Sequence, residues 1–136
     1  MKLLDGKTAI VTGAARGIGE AIALKFAEHG ANVAFSYVSD SSAEKAAVLE
    51  EKLKALGVNA KSYKSNAGDF AQCEAFVNDV LKEFGSVDIC VNNAGISKDN
   101  LLLRMSPDQW EDVIKVNLNS VFYMTKHVIK PMMKAR

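Results

Sequence analysis

Apolar runs of strand length alternate along this chain with longer segments whose apolar residues recur at helical spacing. The first run covers residues 8–12 and is followed by a helical segment from residue 17, and the pattern then repeats. Strands joined by helices pair in parallel, because each crossover returns the chain to the same end of the sheet. We therefore predict an α/β fold, with about four strands in the order 3-2-1-4 and flanking helices, as part of a doubly wound sheet.

Local signals predict where these elements begin and end. The predicted strands cover residues 8–12, 32–37, 60–64 and 87–92. The helices between them are expected to end at Gly30, Gly57 and Gly85. Ser41 with Glu44 predicts a capping box for the second helix, and Ser106 with Gln109 predicts one for the last. Pro131 has no N–H group, so we expect it to kink or stop the last helix.

Size and composition exclude several kinds of protein. We expect residues 1–136 to form a single domain, and 17 basic against 16 acidic residues give no charge for nucleic acid or an anionic membrane. No apolar run approaches the roughly 20 residues that span a bilayer, and no signal peptide precedes the first strand, so we expect a cytoplasmic protein. Cys73 and Cys90 lack metal-ligand spacing, which predicts reduced thiols and no metal site.

The turn between the first strand and the first helix is rich in glycine. Gly13, Gly17 and Gly19 follow Thr12 with the spacing G-x-x-x-G-x-G. A pyrophosphate needs backbone N–H groups close to it, which Cβ atoms would obstruct, together with the positive end of a helix dipole. The turn therefore indicates a dinucleotide site of the Rossmann type. The alternative is a tight strand-to-helix turn that binds nothing.

The end of the second strand bears on the choice of dinucleotide. An acidic residue there would hydrogen-bond the ribose 2′-hydroxyl of NAD, whereas this chain has the run Ser36-Tyr37-Val38-Ser39. Arg16 in the glycine turn is placed to reach a 2′-phosphate, so the pattern favours NADP(H) over NAD(H). Asp40 follows directly and weakens this inference, and Arg16 has the alternative of being a solvated loop residue.

A second motif, Val91-Asn92-Asn93-Ala94-Gly95, follows the fourth predicted strand. In its order and separation from the glycine turn it closely resembles the second N-terminal signature of the short-chain dehydrogenase/reductase family. The run from Ile96 to Met105 is similar in particular to the bacterial 3-oxoacyl-[acyl-carrier-protein] reductases of that family. The resemblance covers the chain from Leu4 to Arg136.

The resemblance implies which residues contact the cofactor. It assigns the pyrophosphate to Gly13, Ala14, Ala15, Arg16, Gly17 and Ile18, with Gly19 completing the turn. It places Val38 and Ser39 near the adenosine ribose phosphate, and Asn66 and Ala67 beside the adenine. It puts Asn93 and Gly95 beside the ribose on the nicotinamide side, with Ala94 between them. It gives Asn117 a catalytic role, the ordering of a water molecule in a proton relay.

The same resemblance implies an activity and a missing part. The complete enzyme would transfer hydride from NADPH to a 3-oxoacyl thioester of acyl-carrier protein in fatty acid synthesis. Family members protonate the product with a tyrosine, assisted by a lysine four residues later and a serine. None of Tyr37, Tyr63 and Tyr123 has a lysine at that spacing. We therefore expect residues 1–136 to be the N-terminal cofactor-binding portion, without its C-terminal catalytic portion and inactive by itself.

Two other functions remain open at this point. The chain could be a non-enzymatic nucleotide-binding or assembly module, or part of a different short-chain alcohol or sugar dehydrogenase. The last helix carries more apolar residues than a helix with one solvent-facing side needs, and the fourth strand is expected to lie at an open edge. Both features predict self-association, and we expect a homo-oligomer.

Overall fold

Four parallel strands form the centre of the molecule. The structure is a computed structural model that describes residues 1–136. The strands are β1 (Thr8–Val11), β2 (Asn32–Tyr37), β3 (Ala60–Lys64) and β4 (Ile89–Val91). They are arranged in the order β3-β2-β1-β4, and all three strand pairs are parallel. The predicted fold class and strand order are confirmed, although β4 is shorter than expected.

Five α-helices connect and cover these strands. They are α1 (Gly17–Glu28), α2 (Ala43–Ala55), α3 (Phe70–Phe84), α4 (Pro107–Ile114) and α5 (Ser120–Ala135). A 3₁₀ turn at Asp40–Ser42 precedes α2, and a π turn at Lys115–Asn119 joins α4 to α5. No helix has the length and apolar character that crossing a bilayer would require.

Each face of the sheet packs against its own pair of helices. Ile10 and Val11 are neighbours in β1 and both are fully buried, yet they belong to different apolar clusters. Successive side chains in a strand point to opposite faces, so the two residues serve two cores. One core is completed by α1 and α2, and the other by α3 and α5. This sandwich leaves the ends of the strands free to carry loops.

The start of α2 differs from the prediction. The expected capping box of Ser41 and Glu44 does not form, because a 3₁₀ turn precedes the helix and α2 begins only at Ala43. Ser42 occupies the N-cap without a side-chain cap bond. The hydroxyls of Ser41 and Ser42 lie instead 2.9 Å from the hydroxyl of Ser39. Short polar side chains in a turn can bond one another as readily as a helix end.

The last helical segment also differs from the prediction. The capping box at Ser106 and Gln109 is confirmed, with bonds of 3.2 and 3.0 Å. Pro131 does not stop α5, which continues to Ala135. The missing N–H removes a single intrahelical bond near the end of a long helix, whose inner face stays packed on α3 and the sheet. The interruption lies earlier, at the π turn 115–119.

Candidate functional site

The predicted cofactor residues all follow the carboxyl ends of strands. The loop after β1 contains Gly13, Ala14, Ala15 and Arg16, and the first turn of α1 contains Gly17, Ile18 and Gly19. Val38 and Ser39 follow β2, Asn66 and Ala67 follow β3, and Asn93, Ala94 and Gly95 follow β4. Because the strands are parallel, the structure brings all of them to one edge of the sheet. The pairing of β1 with β4 reverses the strand order there, and open α/β sheets bind ligands at such a point.

The glycines of the first loop serve two different physical needs. Gly13 has a φ of 65°, and a Cβ on it would lie 3.0 Å from the Cα of Ala94. Gly17 has a φ of 63°, but a Cβ there would meet nothing within 4 Å. Gly13 is therefore required by close packing as well as conformation, whereas Gly17 is required by its left-handed backbone alone. The open space beside Gly17 is available to a ligand.

Gly19 allows the first turn of α1 to pack against the loop after β4. A Cβ on Gly19 would lie 2.5 Å from Nδ2 of Asn93 and 2.8 Å from the carbonyl oxygen of Gly13. Nδ2 of Asn93 donates to the carbonyl oxygens of Thr12 and Gly13, both at 3.1 Å. The Asn93 side chain thus fixes the glycine loop, and no space remains for a larger residue at position 19.

Thr12 connects the same two loops through its hydroxyl. Its Oγ1 accepts from the backbone N–H groups of Asn93 at 3.0 Å and Ala94 at 2.9 Å. Thr12 is 2% exposed, whereas Asn93 and Ala94 are partly buried, so these bonds are partly shielded from water. Thr12 was not among the predicted site residues, although a hydroxyl-bearing residue stands in the sequence between the apolar strand and the glycine turn.

The N-terminus of α1 has the properties of an anion site. Its first backbone bond runs from the N–H of Glu20 to the carbonyl oxygen of Arg16 at 3.4 Å. The N–H groups of Gly17, Ile18 and Gly19 precede that bond, and the Arg16 side chain does not cap them. Free N–H groups at the positive end of a helix dipole attract negatively charged groups.

The loop after β2 lies beside this helix end. Ser36 is buried, and its hydroxyl oxygen accepts from the N–H of Gly13 at 3.1 Å. Val38 and Ser39 follow it and are exposed. A cleft of about 450 Å³ runs between the starts of α1 and α2, and its charged lining residues are Arg16, Lys45, Lys52, Glu20 and Glu44. Arg16 is the cation of this cleft that belongs to the glycine turn.

The loop after β3 presents more backbone than side chain. Ala67 is 3% exposed, so its methyl group offers almost no surface to a ligand. Asn66 is partly buried, and its Oδ1 accepts from the N–H of Gly68 at 2.9 Å. A carbonyl oxygen has two lone pairs, so one acceptor position of Asn66 remains for another donor.

Asn117 lies in the π turn and holds the loop that follows Gly95. Its Oδ1 accepts from the N–H of Ile96 at 2.7 Å, and its Nδ2 donates to the Ile96 carbonyl at 2.9 Å. A Cβ on Gly95 would lie 3.4 Å from that Oδ1. The inserted residue of a π turn often serves a functional site. The structure therefore places Asn117 next to the loop that follows β4, and its role in a proton relay stays a prediction.

Cys90 lies in β4 and is partly buried, and Cys73 lies buried in α3, where its thiol donates to the carbonyl oxygen of Ala67 at 3.4 Å. Burial raises the pKa of the Cys73 and Cys90 thiols to about 11, which keeps both protonated at neutral pH. The structure has no group of three His, Cys, Asp or Glu side chains close enough to hold a metal ion. The chemistry available at the strand ends is therefore that of backbone amides, hydroxyls, side-chain amides and cations.

The chain has a parallel sheet in the order 3-2-1-4, with a glycine turn and an uncapped helix N-terminus at the switch point of the strand order. These features define the Rossmann class of α/β proteins. Within that class the chain belongs to the short chain dehydrogenase family, which it matches over residues 7–136. The predicted family membership is confirmed.

Curated relatives match the chain over almost its whole length. The 3-oxoacyl-[acyl-carrier-protein] reductase FabG of Staphylococcus aureus (strain N315) is 45% identical over 130 residues, which are 96% of this chain and 52% of the relative. FabG of Salmonella typhimurium (strain LT2) is 46% identical over 132 residues, 97% of this chain and 52% of the relative. The chain therefore spans about half the length of these relatives.

Solved structures share the same fold. A blue fluorescent protein from a metagenomic library, in complex with NADPH, superposes with a TM-score of 0.91 at 37% identity. A short chain dehydrogenase from Burkholderia cenocepacia J2315, in complex with NADP, gives a TM-score of 0.91 at 36% identity. Each comparison covers 95% of this chain and 52% of the other.

Proposed function

We propose that this chain binds NADP(H) at the carboxyl edge of its sheet. The observation that carries the proposal is the uncapped N-terminus of α1 behind a turn whose glycines leave open space. A pyrophosphate fits this donor set, because it needs several N–H groups without intervening Cβ atoms. Two structural neighbours at 36–37% identity were solved in complex with NADPH or NADP, which supports the choice of cofactor.

The cofactor residues are proposed as follows. The pyrophosphate would lie against residues 13–19, and the 2′-phosphate would lie near Val38, Ser39 and the Arg16 side chain. The adenine would lie beside Asn66 and the backbone of Ala67. The loop Asn93-Ala94-Gly95 would border the nicotinamide ribose.

The reaction is proposed from the curated relatives. At 45–46% identity they are named 3-oxoacyl-[acyl-carrier-protein] reductases, and NADPH would supply the hydride for such a reduction. We infer that the complete protein reduces a 3-oxoacyl thioester carried on acyl-carrier protein. In this half, the Asn117 side chain would position the backbone of Ile96 beside the reacting end of the cofactor. No tyrosine followed four residues later by lysine is present, so residues 1–136 alone would not protonate the product alkoxide.

Cofactor binding is tested by titrating the chain with NADPH and, separately, with NADH. We expect saturable binding of both and tighter binding of NADPH. Arg16→Gln should weaken NADPH binding about tenfold and NADH binding little, because it removes a charge-assisted bond to a phosphate that only NADPH has. Lys25→Gln is the matched control, since Lys25 is an exposed cation on the same helix that pairs with Glu28. Equal midpoints for the two cofactors would overturn the NADP(H) assignment.

Turnover is tested with an acetoacetyl thioester and NADPH, using protein whose intact mass matches residues 1–136. We expect no oxidation of NADPH above the rate without protein. Reduction at a rate that depends on protein concentration would contradict the proposal that residues 1–136 bind the cofactor but lack the proton donor.

Self-association is proposed from the outer face of α5. Val121, Phe122 and Ile129 are exposed there, and with Leu118 of the preceding π turn they line an apolar groove of about 640 Å³. The free edge of β4, which pairs only with β1, lies on the same half of the sheet. Sedimentation velocity should show a homo-oligomer that Phe122→Glu shifts toward the monomer. Val48→Glu, at an exposed apolar position on α2, should leave the oligomeric state unchanged, and a wild-type monomer at high concentration would refute the idea.

A further inference from the structure

We propose that Lys64 is a cofactor-specificity residue, which makes the end of β2 acceptable to a 2′-phosphate by neutralising Asp40. The inference rests on the proposed NADP(H) binding and adds a residue to it. Asp40 is the residue of the loop after β2 whose negative charge opposes a phosphate beside Val38 and Ser39.

The sheet register brings the two residues together. Lys64 is the last residue of β3 and lies opposite Tyr37, the last residue of β2. Asp40 follows Tyr37 by three residues and opens the 3₁₀ turn before α2. The Lys64 Nζ atom lies 2.6 Å from Oδ1 of Asp40. The ion pair therefore stands at the shared carboxyl ends of β2 and β3, directly after Val38 and Ser39.

The carboxylate alone would oppose phosphate binding. A phosphate monoester carries between about one and a half and two negative charges at neutral pH, so a nearby carboxylate repels it. The hydrogen bond and charge of Lys64 hold the pKa of Asp40 below its ordinary value, so Asp40 remains ionised at neutral pH. Because Asp40 stays ionised, its repulsion of a phosphate persists, and a neighbouring cation must offset it.

Lys64 has the capacity to do more than neutralise Asp40. An ammonium group has three N–H donors, and the single contact with Asp40 leaves two for another acceptor. The Lys64 side chain is 55% exposed, so those donors can reach a phosphate without moving the backbone. A bound 2′-phosphate would thus have Lys64 as a cationic partner in addition to the Arg16 proposed above.

Lys61 provides a matched control on the same strand. Its Nζ atom also lies 2.6 Å from a carboxylate oxygen, and its side chain is 47% exposed. The partner is Glu83, near the end of α3, so this pair lies away from the loop after β2. Removing Lys61 deletes the same charge and an ion pair of the same length without touching the proposed phosphate position.

The test measures dissociation constants of NADPH and NADH for residues 1–136 and four variants: Lys64→Met, Lys61→Met, Asp40→Asn, and Lys64→Met with Asp40→Asn. We expect Lys64→Met to weaken NADPH binding about threefold to tenfold at about 0.05 M salt, and NADH binding less than about twofold. The effect should shrink at about 0.5 M salt, because these charges are solvent-exposed. The double variant should recover much of the NADPH affinity, and Lys61→Met should leave the ratio of the two constants unchanged.

The possible outcomes separate this inference from the proposed function. If the wild-type chain prefers NADPH but Lys64→Met keeps the same ratio, the role of Lys64 is wrong and cofactor binding stands. Equal losses for both cofactors would indicate a structural role and also overturn it. If the wild-type chain binds neither cofactor, both proposals fail. Should Lys64→Met not fold by circular dichroism, Asp40→Asn decides: NADPH should then bind tighter than to the wild type, and unchanged binding would refute the inference.

Discussion

Replacing Thr12 by valine tests the connection between the glycine turn and the loop after β4. Valine keeps the shape of threonine but removes Oγ1, the only acceptor within the chain for the N–H group of Ala94. The N–H group of Asn93 loses a bond of 3.0 Å but keeps the carbonyl oxygen of Val91 at 3.1 Å. The substitution also removes the long donation of 3.4 Å from the hydroxyl to the carbonyl oxygen of Val91, which keeps two backbone donors. The perturbation is therefore one unsatisfied backbone donor, one weakened bond and one lost weak bond.

The expected loss of stability follows from this count. An unsatisfied buried donor costs roughly 1–3 kcal/mol, and because Asn93 retains a partner we expect a total of about 2 kcal/mol. For 136 residues the entropy of unfolding is roughly 0.29 kcal/mol per kelvin, so Tm should fall by about 7 °C. Thr12→Ser is the control, since it keeps the hydroxyl and loses only a methyl group, which costs about 1 kcal/mol.

Thermal unfolding followed by circular dichroism, with urea unfolding for the free energy, measures both variants. We expect the order wild type, Thr12→Ser, Thr12→Val from most to least stable. The valine variant should also bind NADPH more weakly, because the Asn93-Ala94-Gly95 loop is no longer held. If Thr12→Val unfolds at the same temperature as Thr12→Ser or above it, the hydroxyl does not support these amides and the reasoning is wrong.

Three further predictions concern other parts of the structure. Gly19→Ala should lower the free energy of unfolding by about 1–3 kcal/mol despite the better helix propensity of alanine, because the new Cβ would lie 2.5 Å from Nδ2 of Asn93; an unchanged urea midpoint would contradict this. Asn117→Ala removes both hydrogen bonds to Ile96 and should make the loop from 96 to 105 more sensitive to limited proteolysis, measured against Asn119→Ala. At pH 8 the Cys73 thiol, with its pKa raised to about 11 from 9.0, should react with iodoacetamide at least about a hundredfold more slowly than in denaturant. Rapid alkylation of the folded protein would refute the burial argument. Because the pKa of Cys73 is raised in the folded chain, its ionisation favours the unfolded chain, so the free energy of unfolding should decline as the pH rises from about 9 toward 11.

Elements with strong local signals were predictable from the sequence. The third helix has an N-cap at Asp69, whose side chain accepts from the N–H of Gln72, and it ends at Gly85 with a φ of 86°. Ser106 and Gln109 likewise form the predicted capping box. These interactions join residues three positions apart or need only one special backbone angle, so they do not depend on the rest of the fold.

The capping box at Ser41 and a helix stop at Pro131 were the predictions that failed, and both concern places where two local arrangements compete. The serines around residue 41 can cap a helix or bond one another, and the 3₁₀ turn at Asp40–Ser42 produces the second arrangement. Pro131 lacks an N–H group wherever it stands, yet the packing of Met124 and Val128 on the sheet and α3 keeps α5 intact around it. Tertiary packing decides such cases because it outweighs the loss of a single backbone bond.

The candidate site divides in the same way. Its glycine turn and its Asn93-Ala94-Gly95 loop were recognisable as motifs, because each is a short contiguous run. Three pairs that shape it were not: Thr12 with Ala94, Asn117 with Ile96, and Lys64 with Asp40. Their partners are 82, 21 and 24 residues apart in the chain.

Local residue patterns were enough to predict the alternation of strands and helices, the strand order that right-handed crossovers impose, and the glycine turn after β1. The assembled fold was needed to show which hydroxyl holds the loop after β4, where Asn117 points, and which cation meets Asp40. The difference arises because backbone conformation and apolar periodicity are properties of neighbouring residues. Hydrogen bonds between loops exist only after parallel strands have brought the ends of β1, β2, β3 and β4 to a common edge.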